Sequence, residues 1–293
     1  MSSKSWGRRA VIAAPYLWLG LFALVPLAIV LKISLAESVL GIPPYGPLID
    51  MSGGTPTWVG TLENYQRLIS DSLYARAYLS SILYAAGTTG LCLLLGYPMA
   101  YAIARAPKAW RVTLLMMVIL PFWTSFLLRV YAWIGLLKGN GFINNALVWL
   151  GLVGEPLPLL NNSFSVFVGL VYGYLPFMVL PLYAQLEKLD PGLLEAAADL
   201  GSRPWRAFLS VTLPLSLPGI AAGSLLVFIP AVGEFVIPEL LGGPDTLMIG
   251  KVLWDEFFNN RDWPAASAVA VALLALLALP MALIRRHIAE EPS

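Results

Sequence analysis

The sequence predicts an all-α membrane protein with six transmembrane helices, and three observations carry that prediction. Of 293 residues, 58% are hydrophobic and only 12% charged, with a mean hydropathy of +0.76. A soluble domain is about 45–50% apolar and about 25% charged, so half the charge needed to coat a globular surface is present and the apolar material must face lipid. Second, six apolar runs reach the ~20 residues that cross ~30 Å of hydrocarbon. Third, Lys and Arg are spread unequally between alternate loops, as orientation in a membrane requires.

The same composition excludes a soluble enzyme and a disordered chain. A single cysteine, Cys92, allows no intrachain disulfide and no thiolate metal cluster, and it reads as an inert apolar residue within the second run. The single histidine, His287, lies close to the C-terminus. A Ser-His triad, an HExxH zinc site and a membrane-buried His-ligated haem are therefore disfavoured, as is an intramembrane enzyme. A formal charge of +1 gives no whole-chain attraction to nucleic acid.

The expected spans are Val11–Leu31, Tyr78–Ala104, Val112–Leu136, Phe164–Leu186, Leu215–Ile237 and Pro264–Ile284. The first follows Lys4, Arg8 and Arg9 and precedes Ser34-Leu35-Ala36, which resembles a cleavage site. Its apolar run exceeds the ~7–15 residues of a signal peptide, so it reads as an uncleaved anchor. Eleven Lys and Arg fall in the segments on the side of the N-terminus, against seven on the other side. The short Arg105–Arg111 connector holds three of them and no acid. Both termini are thus expected in the cytoplasm.

The outer segments are unusual. Residues 37–77 are rich in Pro and Gly, with Gly41-Ile42-Pro43-Pro44 and Ser52-Gly53-Gly54. Residues 239–263 carry Glu239, Asp245, Asp255, Glu256 and Asp262 against Lys251 and Arg261. Such an acidic, aromatic-dotted face suits a docking partner or a cationic solute, and a plain solvated loop fits equally well. The sequon Asn161-Asn162-Ser163 has no independent support.

The inner loop after the fourth span reads Leu189-Asp190-Pro191-Gly192-Leu193-Leu194-Glu195-Ala196-Ala197-Ala198-Asp199-Leu200-Gly201-Ser202-Arg203-Pro204. Asp190 can cap a helix whose first residue is Pro191, where a missing N–H costs nothing. Gly201 supplies the left-handed residue that ends it, and Ser202 and Pro204 start another. The three alanines leave the surface thin enough for another protein's groove to approach the backbone. An amphipathic linker lying at the membrane interface is the plainer reading.

Glu195-Ala196-Ala197, then Gly201, then Val211-Thr212-Leu213-Pro214, resemble the EAA loop of importer-type ABC permeases, with Val211 in place of the usual Ile. A wider resemblance is densest from Leu120 to Trp133 and in Phe228–Pro244, continuing through Glu256–Pro264. These blocks are similar to the first permease subunit of bacterial polyamine importers, more the putrescine system than the putrescine–spermidine system. The resemblance implies the type I ABC importer permease fold: a cytoplasmic N-terminus (1–10), a first helix (11–36) outside the core, a periplasmic segment (37–77) and a cytoplasmic tail (285–293). Between these lies a five-helix core (78–284), which includes the coupling loop 187–213 and the periplasmic segment 239–263. It implies a second homologous permease, two copies of an ATP-binding subunit, a periplasmic polyamine-binding protein, and no cofactor on this chain, with ATP and Mg held by the ATPase. Glu195, Ala196, Ala197, Asp199, Gly201, Arg203 and Pro204 are the expected ATPase contacts.

Two readings of the residues stand beside this. The only Lys followed by Ser or Thr is Lys4, too near the start to close a Walker A loop, so energy must come from another chain or a gradient. For a diamine, Glu234 and Glu239 can hold an ammonium while Trp123, Tyr131, Trp133, Tyr174 and Phe235 offer ring faces. Glu234 can instead pair with Arg129. The acids Asp245, Asp255, Glu256 and Asp262 are the docking candidates. Pro121, Pro176, Pro181, Pro218 and Pro230 fit a cavity-lining bundle. Gly169-x3-Gly173 and Gly219-x3-Gly223 are close-packing candidates against either a sister permease or the chain's own helices. A gradient-driven transporter of a small cation is the alternative, and it leaves the EAA loop unexplained.

Overall fold

The computed structural model describes residues 3–51 and 54–289, with side-chain surroundings given for 11–51 and 54–278. Residues 1–2, 52–53 and 290–293, which include Ser52-Gly53 and parts of both tails, lie outside the described residues. The side chains of Lys4, Arg8, Arg9, Arg285, Arg286 and His287 are likewise outside the description. The chain divides into two compact units, Met1–Ala75 with Val252–Ser293, and Arg76–Lys251.

In the first unit, α1 (Ser3–Leu19), a π turn (Gly20–Leu24) and α2 (Val25–Ser34) follow one another without a break, apolar over Val11–Ser34. A short hairpin pairs β1 (Ile49–Asp50) with β2 (Thr57–Trp58), Ile49 opposite Trp58. Next comes α3 (Glu63–Ser70), begun where Thr61 Oγ1 accepts the Glu63 N–H at 3.0 Å. Buried Asn64 donates to the Ser34 and Ala36 carbonyls, both at 3.0 Å, and so pins α3 to the end of α2.

α4 (Ser72–Arg105) opens on the Asp71 carboxylate, which takes the Leu73 N–H at 2.8 Å, and stops just before Pro107. In the second unit it is followed by α5 (Lys108–Ile119), α6 (Phe126–Leu137) and α7 (Phe142–Trp149). α8 (Ser163–Leu186) begins with a capping box in which Asn162 and Ser165 satisfy each other's backbone N–H. Then come α9 (Gly192–Asp199), α10 (Pro204–Ala207), a π turn (Phe208–Thr212), α11 (Leu213–Val232) and α12 (Val236–Leu241). α13 (Ile249–Trp254) leads back to the first unit, where α14 (Trp263–Ala289) packs against α2 and α3.

The core of the second unit is the α8–α11 pair. Met178, Val179, Leu182 and Val227 are fully buried there. In lipid there is no hydrophobic drive between helices, so close approach supplies the attraction. A Cβ on Gly223 would stand 2.8 Å from Met178 Sδ and 3.2 Å from its carbonyl; one on Gly169 would meet Leu241 at 2.6 Å. Both small-residue motifs therefore serve this chain's own helices, Gly219 and Gly223 facing α8 and Gly169 facing α12.

Among the described residues, four helices, Val11–Ser34, Ser72–Arg105, Ser163–Leu186 and Pro204–Val232, are long and apolar enough to cross a membrane. The count is compatible with six spans, since α14 runs 27 residues and Lys108–Trp123 with Phe126–Trp149 form a bent pair. Two expected spans are not continuous. Val112–Leu136 breaks by 90° between α5 and α6. Pro121 lacks an N–H to continue the ladder, the chain tightens into a 3-10 turn over Leu120–Trp123, and Thr124 turns extended while its hydroxyl takes the Pro121 carbonyl at 2.8 Å. Leu215–Ile237 also breaks, at Gly233–Phe235, so Glu234 lies in a joint and not within a helix.

Candidate functional site

The α9–α10 turn has the form its sequence prescribes. Asp190 Oδ1 accepts the Gly192 N–H at 2.9 Å, fixing the start of α9. At the other end Gly201 has φ +78, its N–H reaches the Ala198 carbonyl at 2.8 Å, and the Ser202 N–H reaches Ala197 at 2.9 Å. That pair of bonds is a Schellman cap, closing two carbonyls the helix leaves open. Arg203 then turns extended and Pro204 opens α10. Glu195, Ala196, Asp199, Arg203 and Pro204 are exposed, Ala197 is half-buried, and Leu200 is 89% exposed at the turn.

Behind this surface is an anchor the sequence did not disclose. Phe208, in the π turn after α10, meets the rings of Tyr97 and Tyr101 edge-on at 5.6 and 5.9 Å. Tyr97 in turn shares a 2.9 Å hydrogen bond with Ser216 on α11. Phe208 thereby packs on α4, and Tyr97 ties α4 to α11. Phe, Tyr and Ser at these positions carry no sequence signal beyond apolar or small; only the crossing of α4 with α11 gives them a role.

Glu234 occupies the joint between α11 and α12. Its Oε1 accepts the backbone N–H groups of Phe235, Val236 and Ile237 at 3.2, 3.0 and 3.4 Å, capping α12. Among the described residues, its Oε2 receives only the Tyr174 hydroxyl, at 2.6 Å. A carboxylate oxygen can accept two bonds, so Oε2 keeps capacity for one more donor. The expected alternative of a Glu234–Arg129 pair is not formed. Arg129 instead lies over Phe122 at 4.6 Å and Phe126 at 5.7 Å, with Nε and Nη1 buried and without a hydrogen-bond acceptor.

The other pathway candidates divide. Tyr174 touches Phe177 (6.2 Å), which meets Phe122 edge-on (5.4 Å), so these three rings connect the Glu234 joint to Arg129. Phe235 is half-buried beside Glu234. Trp133 instead packs edge-on against Tyr172 at 5.5 Å and lines an apolar groove of about 560 Å³ with Leu91, Leu95 and Phe167. Trp123 and Tyr131 are 79% and 56% exposed, outside the ring series. Glu239 is tied to Lys251 at 2.8 Å. Sequence reasoning missed Phe122 and Phe177; each looked like one more apolar residue of a span.

The acidic candidates also separate. Asp245 is exposed, and Asp255 is half-buried, accepting the Asn259 amide at 2.6 Å. Glu256 is only 6% exposed; it accepts from Tyr74 (2.7 Å) and Asn260 (2.9 Å) and faces Arg67 at 3.5 Å. Asp262 bonds Arg67 at 3.1 Å and caps α14 through the Ala265 N–H. Burial works against the Arg67 charge, but Tyr74, Glu256 and Asp262 outweigh it, and the guanidinium pKa is raised. Both carboxylates are engaged inside the unit, where they hold α3 to the start of α14.

The comparisons come from sequence and from shape. The family described as binding-protein-dependent transport system inner membrane component matches residues 92–291. The spermidine/putrescine transport system permease protein PotB of Haemophilus influenzae is 40% identical, over 93% of this chain and 91% of its own length. PotB of Escherichia coli K12 is 44% identical over 75% of this chain and 80% of its own. Among solved structures, a bacterial alginate ABC transporter in complex with an alginate pentasaccharide-bound periplasmic protein matches at TM-score 0.67. It covers 98% of this chain and 95% of that one at 19% identity, a likeness of fold alone.

Proposed function

The chain belongs to the family of binding-protein-dependent transport system inner membrane components, and on that premise we propose that it is the permease subunit of an ATP-driven polyamine importer. The observation that carries the polyamine assignment is the 40–44% identity to permeases named for spermidine and putrescine. Those names set the two polyamines side by side, and putrescine is taken as the first substrate to test. Both termini face the cytoplasm, as the Lys and Arg distribution requires.

In this reading the α9–α10 surface seats in a groove of an ATP-binding subunit. Glu195, Ala196, Ala197, Asp199, Gly201, Arg203 and Pro204 make the contact. ATP and Mg belong to two copies of that subunit, and a second permease completes the pathway. Closure of the ATPase pair moves the α9–α10 turn, and Phe208 passes the movement to α4 and α11. α11 ends at the Glu234 joint, so tilting it alters the cation-binding end of the pathway. The permease gains from nucleotide only if ATP and the docked partner favour different states of this bundle. A periplasmic polyamine-binding protein docks on the outer segments, where Asp245 and Asp255 remain the acidic contacts.

At the joint, one ammonium binds Glu234 Oε2, with Tyr174 holding the carboxylate and the rings of Tyr174, Phe235 and Phe177 adding cation–π attraction of about 0.5–2 kcal/mol each. A charge deep in a bilayer costs about 2.5–3.5 kcal/mol on insertion scales, which is why Glu234 is retained on bonded backbone and not on a lipid-facing turn. The test is uptake of labelled putrescine into proteoliposomes holding the assembled transporter. Uptake that needs ATP and survives an ionophore supports the proposal. Uptake that persists without ATP and collapses with the ionophore overturns it in favour of a gradient-driven carrier.

A further inference from the structure

Three rings run from an anion to a cation. Tyr174 holds Glu234, Phe177 follows at 6.2 Å, Phe122 at 5.4 Å, and the Arg129 guanidinium covers Phe122 at 4.6 Å. The ring face that such a wall offers to a passing ammonium is thus taken, at its far end, by a resident positive charge.

That seat is unfavourable in two ways. Nε and Nη1 are buried with no acceptor, each a lost hydrogen bond to a charged group. Arg129 also stands in the first turn of α6, its N–H bonded to the Ser125 carbonyl, where the helix dipole opposes a cation. Among the described residues no ion pair or cap to it is formed in return. What holds its charged end is the faces of Phe122 and Phe126, and a Leu or Gln would fill the position without those costs. Phe177 is 39% exposed, so the wall is open along its middle.

We propose that Arg129 is a specificity-determining residue that reads the spacing of charges along the polyamine. A short diamine with one ammonium on Glu234 keeps its second over Tyr174 and Phe177. A longer polyamine must put an ammonium over Phe122, beside the guanidinium. Like charges that close, at the effective dielectric of a protein, are enough for discrimination of roughly tenfold. The inference rests on the polyamine reading above and adds to it a preference for putrescine over spermidine within the permease itself.

The test uses the full transporter in proteoliposomes with its binding protein, measuring putrescine and spermidine uptake for wild type, Arg129→Gln and Arg129→Lys. Each polyamine's affinity for the binding protein is measured separately and divided out. Arg129→Gln is expected to raise the spermidine-to-putrescine uptake ratio roughly tenfold, and Arg129→Lys to keep it near wild type. A purely structural Arg129 would lower both uptakes together and leave the ratio fixed, which would overturn the proposal. Should Arg129→Gln fail to assemble, a wild-type series of diamines of increasing length decides: uptake must fall as the second ammonium reaches Phe122, and flat uptake overturns it. Wild type that transports neither polyamine removes the underlying reading, whereas polyamine uptake with an unchanged ratio removes this inference alone.

Discussion

Replacing Gly201 separates backbone geometry from contact. Gly201 has φ +78, and a Cβ built there meets nothing within 4 Å. The cost of a side chain is therefore conformational and carries no steric term from neighbours. An L-residue in the left-handed region costs about 1–2 kcal/mol, less for Asn, whose short side chain bonds locally, and more for a β-branched residue. A cost of about 1.4 kcal/mol is tenfold in an equilibrium constant. The expected order of damage is Gly201→Asn, then Gly201→Ala, then Gly201→Val. Because Leu200, Arg203 and Pro204 beside it are exposed, the loss falls on the shape of the turn and not on the bundle. Thermal stability of the isolated chain should hold nearly constant while affinity for the ATP-binding subunit drops by about 5–30-fold from Gly to Ala. Binding of detergent-solubilised permease to the purified ATP-binding subunit gives that affinity directly. Equal affinity for all four proteins, or Val milder than Asn, would refute the claim that the left-handed cap shapes the docking surface.

Gly223→Ala should do the reverse. Its Cβ would press on Met178 Sδ and carbonyl, and overpacking of this kind costs about 1–3 kcal/mol, visible as a lower melting temperature with ATPase affinity unchanged once folded. Tyr74→Phe removes a hydroxyl donated to buried Glu256; the loss of a bond to a charged group, about 1.5–3 kcal/mol, should appear in thermal unfolding, while uptake per folded transporter stays the same. Glu234→Gln keeps an oxygen to cap α12 but removes the charge, so uptake should fall at least about tenfold with little loss of stability. Glu234→Ala should lose both, and retention of full uptake by the Gln variant would exclude an ammonium at this carboxylate.

Much of the fold was legible because its signals are local. Apolar run length marks every long helix, Asp190 and Gly201 mark the two ends of α9, and the EAA pattern places that helix at a partner surface. Pro121 was equally visible, yet proline inside a span permits either a kink or a break; the 90° bend comes with a 3-10 turn and with the Thr124 hydroxyl donating to the Pro121 carbonyl, neither of which a hydropathy run registers. The Glu234 joint was hidden for a related reason. Its three capping bonds run from a side chain to the backbone just after it, and a hydropathy run cannot register them. Pairings between distant segments were least legible. Glu256 looked like a surface acid because Arg67 and Tyr74, which bury it, lie more than 180 positions earlier in the chain. The aromatic series from Tyr174 to Phe122 depends likewise on how α8 meets the turn after α5.

ATP hydrolysis by the complex that co-purifies with this chain, assayed with its binding protein and with putrescine or spermidine, tests the central claim most directly. The account predicts an accompanying ATPase whose turnover rises with putrescine and falls back when Gly201→Val weakens the coupling turn. No accompanying ATPase, or turnover indifferent to either polyamine, would contradict it.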